Sequence, residues 1–180
     1  MFYRVSLILL LFCTIAFPAA AARDIGSIRV DPTLARSWQE LVKRSDWIVA
    51  VKADASYRAF ATGRSIREGK LVNYVQTLQV TQTIKGAPSA SIKMVSTGVD
   101  PLPDARSPLN QIYPGPLAEG SYLLFLHRVQ GTDLSSTVGL WQGVYPLHLG
   151  KTVALQGAGF AELNQLTVDE LAAKVKAVSR

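Results

Sequence analysis

The chain has 180 residues, 48% hydrophobic and 18% charged, and its 19 basic against 13 acidic residues leave a net charge of +6. A modest positive excess suits solubility and a weak attraction to polyanions. The single cysteine, Cys13, excludes a disulfide framework and a cysteine-based zinc site.

The first residues, MFYRVSLILLLFCTIAFPAAAAR, set Arg4 before an apolar run from Val5 to Phe17 and then small residues from Ala19 to Ala22. This three-part pattern predicts a signal peptide over residues 1–22, cleaved near Ala21 or Ala22, and hence a periplasmic or extracellular protein. The run is shorter than the ~20 apolar residues of a membrane helix and stops at Pro18, so no span is expected after cleavage. Phe12 is too large to precede a lipidated cysteine, and Cys13 leaves with the signal. Residues 23–180 are then expected to form one domain, being ample for one core and thin for two.

Asp31-Pro32 predicts a helix start, with Leu34, Trp38, Leu41 and Val42 as its apolar stripe; Ser37 with Glu40 three residues on is a second possible cap. Trp47 to Val51 is too short and too β-branched for another helix and reads as a strand. Leu71 to Ile84 is the clearest strand: Val72, Tyr74, Leu78, Val80 and Ile84 share one parity, and Asn73, Thr77, Gln79, Thr81 and Thr83 the other. Its length suits a strand bending around a barrel. After a Lys85–Ser89 turn, Ser91 to Val95 pairs back. Residues 97–120 hold Pro101, Pro103, Pro108, Pro114 and Pro116, a density that predicts a loop, functional or mobile. Tyr122 to Leu126 is apolar on both parities, so both faces should be covered. Leu140 to Leu147 and Thr152 to Leu155 read as two further strands. Thr167 and Glu170 make a capping box for a last helix, with Leu166 stapling onto Leu171 and Val168, Leu171, Val175 and Val178 as its stripe.

Chemical motifs are scarce. His127 and His148 lack the spacing or carboxylate partners of a metal site, and His127 reads as a half-buried ring, bonded to backbone, where a strand emerges. No G-x-S-x-G elbow or S-x-x-K set is present. Asp100, Asp104 and Glu119 sit in or beside the proline loop without a positioned pair. Gly157-Ala158-Gly159 begins a dinucleotide fingerprint but has Glu162 where the third glycine belongs. No cofactor and no metal is therefore expected. Two features suit binding instead. Between the first two strands, a basic hairpin over residues 57–70 carries Arg58, Arg64, Arg67 and Lys70 beside Tyr57 and Phe60, a mixture suited to an anionic polymer. The proline loop offers Ile112, Tyr113 and Leu117, apolar residues that a free loop has little reason to show.

The stretches ELVKRSDWIVAVKA, YVQTLQVTQTIKGAPSASIKMVSTG, LAEGSYLLFLHRV and GLWQG together resemble a family of exported bacterial domains of unknown function. The likeness spans Glu40 to Gln142 and is sharpest at Ile84-Lys85-Gly86 and at Gly120 to Leu126. The same order is similar, more distantly, to the OB-like barrel of tissue inhibitors of metalloproteinases and netrin-type modules. The resemblance implies a mainly β (α+β) fold: a five-stranded antiparallel OB-like barrel with an N-terminal and a C-terminal helix. It does not carry over the inhibitors' mechanism, which chelates a metal through an N-terminal cysteine that this chain lacks. The sequence thus predicts an exported, non-catalytic binding module, holding a protein partner through the 97–120 loop. The alternatives are an anionic polymer held by the 57–70 hairpin and, further off, a hydrolase whose site has no recognisable motif.

Overall fold

The computed structural model describes residues 24–178; the predicted signal peptide lies outside them. In chain order the elements are α1 (Trp38–Arg44), β1 (Trp47–Ala53), β2 (Arg58–Ile66), β3 (Gly69–Lys85), β4 (Ser91–Asp100), α2 (Leu109–Ile112), β5 (Gly120–Arg128), β6 (Leu134–Thr137), β7 (Val144–His148), β8 (Lys151–Thr152) and α3 (Val168–Val178). Five strands close into a barrel in the order β1-β3-β4-β6-β5 and back to β1. The fold is the OB-like barrel with one helix before it and one after.

The barrel departs from the antiparallel expectation at one seam. β4 and β6 run parallel, with Lys93 opposite Leu134 and Met94 opposite Ser135. The reason is arithmetic: a closed ring with an odd number of strands cannot alternate direction at every step. β6, which closes the ring, is not among the expected strands. Leu140 to Gly143 forms a 3-10 turn instead, and the strand that follows it, β7, pairs outside the ring with β5. The small strand expected over Thr152 to Leu155 is the two-residue β8, Lys151–Thr152.

Two cores explain why β1 and β5 are apolar on both parities. Val49, Val51, Leu124 and Leu126 join Leu78, Ile92 and Met94 inside the barrel. Ile48, Leu123 and Phe125 face the other way and pack with Trp38, Leu41, Tyr145, Leu171 and Val175. That second layer is why the helices stay attached. Burying each such side chain is worth about 1.5–3 kcal/mol.

Helix α1 starts at the second of its two possible caps: Ser37 Oγ accepts from the Glu40 backbone N–H at 3.2 Å, and Glu40 Oε2 accepts from Arg36 N at 2.9 Å. Asp31 caps nothing helical; it turns the chain at Thr33 and pairs with Arg44 at 3.2 Å. At the other end Lys85 Nζ donates to Val42 O, satisfying a terminal carbonyl from across the fold. In α3 the capping box forms as predicted, with Glu170 N donating to Thr167 Oγ1 and Thr167 N to Glu170 Oε2. Leu171 and Val175 are buried, but Val178 is 40% exposed and lies beyond the stripe.

Asn73 corrects the reading of β3 as wet on one side. The segment before α1 crosses that face, and Asn73 Nδ2 donates to the carbonyls of Ile25 and Ile28 while its Oδ1 accepts from Thr97. Asn73 is wholly buried and fully partnered.

Candidate functional site

The proline loop is ordered by what it touches. Gln76, projecting from β3 and 1% exposed, clamps it: its Nε2 donates to Leu117 O at 2.9 Å and its Oε1 accepts from Leu117 N at 2.6 Å. Gly115 N donates to Thr97 O at 3.1 Å, and Trp141 Nε1 donates to Asn110 O. Between these tethers the loop turns on itself. Asp104 Oδ1 accepts from Arg106 N, and Asn110 Nδ2 donates to the carbonyls of Asp104 and Ala105. One helical turn, α2, survives among the prolines, contrary to expectation, because Pro108 stands just before it, where a missing N–H breaks no helical bond.

So held, the loop walls a cleft of about 690 Å³. The facing wall is Gly139 to Gln142, and the remaining sides come from Leu34 and the Leu155–Ala158 segment. Gln142 fixes the Leu34 side by a reciprocal pair with Ala35, Ala35 N to Oε1 at 2.7 Å and Nε2 to Ala35 O at 3.2 Å. Tyr145 Oη accepts from Phe160 N, tying the chain just past the cleft to the helix layer; burial chiefly pushes that phenol up to about 12. Gly139 and Leu140 both adopt left-handed backbone, φ 65° and 55°. For leucine this conformation costs on the order of 1–2 kcal/mol, and it is met here in a wall of the cleft. Arg106 is the one charged residue lining it, and among the described residues no carboxylate forms an ion pair with its guanidinium.

The predicted loop residues separate. Ile112 is 59% exposed, as is Leu34 across the cleft, while Tyr113 is half-buried. Leu117 does not belong to the exposed surface: it is 6% exposed and part of the barrel core, where the Gln76 clamp draws it in. The Gly157-Ala158-Gly159 stretch is not followed by a phosphate-binding helix; its first two residues line the cleft.

The predicted basic hairpin is formed by β2 and the start of β3, with Arg67 and Glu68 at its tip. Arg64, Arg67 and Lys70 lie at or beside that tip, and Arg58 stands apart from them. Arg58 stands opposite Val75 and Lys70 opposite Ser65, so about 17 Å of strand separates the two ends. Arg64 follows a bulge at Thr62 and Gly63 that interrupts the pairing of the outer strand. A bulged, arginine-bearing edge resists pairing with another chain, which gives these residues a role in the fold itself. Tyr57 sits edge-on to Tyr74, ring centroids 5.0 Å apart, and Arg58 lies over Phe60.

His127 is half-buried, as read, but its partner is the hydroxyl of Ser136 at 3.0 Å rather than backbone. Burial pushes its ring below the usual value, the carboxylates of Asp31 and Asp46 pull it back, and Arg44 adds to the lowering. His148 is exposed at the end of β7. Among the described residues, no three of His, Cys, Asp and Glu gather where they could hold a metal ion. The lowered ring gives a testable sign. As pH falls below the unfolded value of about 6.5, the unfolded chain takes the proton first, so stability held above that pH is lost on the way down. Urea titrations at pH 7, 6 and 5 should show this decline in the wild type and a flatter one in His127→Gln; equal slopes would contradict it.

No family model matches the chain, and no curated protein matches it. Among the described residues no helix is long and apolar enough to cross a membrane.

Proposed function

We propose that the protein is an exported, non-catalytic binding module that holds a protein partner at the cleft walled by the 97–120 loop. The observation that carries this reading is the apolar rim. Leu34 lines the cleft at 59% exposure, and Ile112, next to the lining residue Gln111, is equally exposed. Leu140 and Trp141 supply apolar surface between them. Apolar groups grouped around a concavity suit a side chain of a partner, which removes them from water together. The left-handed Leu140 supports the same reading, since strain is retained where it shapes a site. Export rests on the sequence pattern of residues 1–22 and on the resemblance to exported bacterial domains.

The reading is tested with the partner recovered from the exported fraction. Ile112→Asp and Leu34→Asp should each weaken its binding at least tenfold while leaving the melting temperature within a few degrees, because both side chains are on the surface. Raising the salt concentration should change the affinity little. An interaction indifferent to both substitutions, or one that collapses with salt, would overturn it.

A further inference from the structure

A second concave surface shares no residue with that cleft. Two hollows of about 340 and 350 Å³ meet at Thr77, Lys93, Asp133 and Leu134, which line both and so make one groove. At one end stand Tyr57, Arg58 and Phe60, and at the other Trp47 and Arg128. Each end repeats the same device. The Arg58 guanidinium lies 5.3 Å from the Phe60 ring centre, and that of Arg128 lies 5.8 Å from the Trp47 ring centre. Among the described residues neither guanidinium has a carboxylate within 4.0 Å, although Asp46 Oδ2 accepts from the backbone N–H of Arg128 at 2.7 Å. In the middle, Lys93 Nζ and Asp133 Oδ2 are paired at 2.6 Å, with both side chains more than half exposed.

We propose that this groove binds an acidic oligosaccharide whose charges are carboxylates, such as a chain of uronic acids. A guanidinium laid against a ring loses less freedom on binding than a free one, and its fork of donors matches a carboxylate. Two such groups at separate ends suit two carboxylates of one chain. The exposed Lys93–Asp133 pair contributes little to stability, so it opens readily. It then presents a donor and an acceptor side by side, which is what sugar hydroxyls take. Ser89, Ser91 and Thr132 add hydroxyls along the same floor. Nucleic acid fits less well: the guanidinium groups over Phe60 and Trp47 occupy ring surface that bases would need for stacking. The hairpin cations Arg64, Arg67 and Lys70 line neither hollow. The cations of this surface are therefore Arg58 together with two residues that nothing in the sequence joins to it, Lys93 and Arg128.

The test is calorimetric titration of the protein with hexamers of galacturonate and of mannuronate, with the methyl-esterified galacturonate hexamer and a thymidine hexanucleotide as comparisons. At least one uronate hexamer should bind, and esterification should abolish that binding. Arg58→Gln with Arg128→Gln should weaken it at least tenfold and lower its salt slope, because fewer counterions are released. The Ile112→Asp variant should bind the sugar as the wild type does, which separates this site from the cleft. Failure of both uronates would overturn the proposal, as would binding indifferent to the arginine pair. Tighter binding of the thymidine chain would assign the groove to nucleic acid instead.

Discussion

Gln76→Ala is expected to lower stability by about 3 kcal/mol, although it removes one polar side chain from a barrel of hydrophobic ones. The loss comes from what is left behind. Leu117 is buried, and its N–H and C=O are each bonded to the Gln76 amide; without that amide both are stranded, at about 1–3 kcal/mol apiece. For a domain of this size the change corresponds to a fall in melting temperature of roughly 6–12 °C. The consequence for function follows from the same two bonds. With the clamp gone, the chain from Pro101 to Glu119 keeps its outer tethers to Thr97 and Trp141 but loses the one that seats Leu117 in the core. Amide exchange at residue 117 should accelerate with the melting change, and partner binding should weaken although no cleft residue was touched. A shift of under about 2 °C would contradict the claim that this amide orders the loop.

The second large effect concerns β5. Phe125→Ala should cost about 3–5 kcal/mol and Leu124→Ala about 2–5 kcal/mol, although the two side chains point to opposite faces of one strand. Phe125 packs edge-on to Tyr145, centroids 5.6 Å apart, in the layer beneath the helices. Leu124 fills the barrel with Leu78 and Met94. Thr77→Ala and Gln79→Ala, on the exposed parity of β3, should stay within about 0.5 kcal/mol. Denaturation of the four variants checks this. A mild Phe125→Ala would mean that the helix layer is not a core in its own right.

These two cases show where the sequence speaks and where it is silent. Tyr122 to Leu126 declares itself, because a strand buried on both faces needs apolar residues at every position. Thr167 with Glu170 and Ser37 with Glu40 declare themselves for a different reason: capping is local, and both partners lie within one turn. β6 does the opposite. Its residues, Leu134, Ser135, Ser136 and Thr137, carry no apolar alternation, yet all four are buried. Ser135 is satisfied by Lys93 O and Ser136 by His127, partners 42 and 9 residues away. A strand whose burial depends on distant hydrogen bonds leaves no periodic trace, so the element that closes the barrel was the one least visible.

The binding surfaces follow the same division. Ile112 beside Tyr113 stands out because adjacent bulky apolar side chains in a free loop are a local anomaly. Leu34 does not, since it completes an apolar helical stripe; it lies before α1 rather than in it, and so reaches the cleft. Lys93 and Arg128 look like ordinary surface cations until the pairing of β3 with β4 and the turn beyond β5 set them along one groove with Arg58. Asn73 is hidden by its chemistry, since an amide on the polar parity of a strand reads as a wet position, whereas Gln76 shares the parity of Val72, Tyr74 and Leu78 and only its partner, Leu117, is unreadable.

A protein partner held at this cleft must seat itself against the apolar rim. Photo-cross-linking reads that contact: a photoreactive amino acid is placed at position 112, and in a parallel sample at Arg64 in the hairpin, and each is illuminated in cells that produce the protein. A discrete protein adduct is expected from position 112, lost when Leu34 is changed to Asp, and none from position 64. An adduct from position 64 alone, or one at 112 that survives Leu34→Asp, would contradict it.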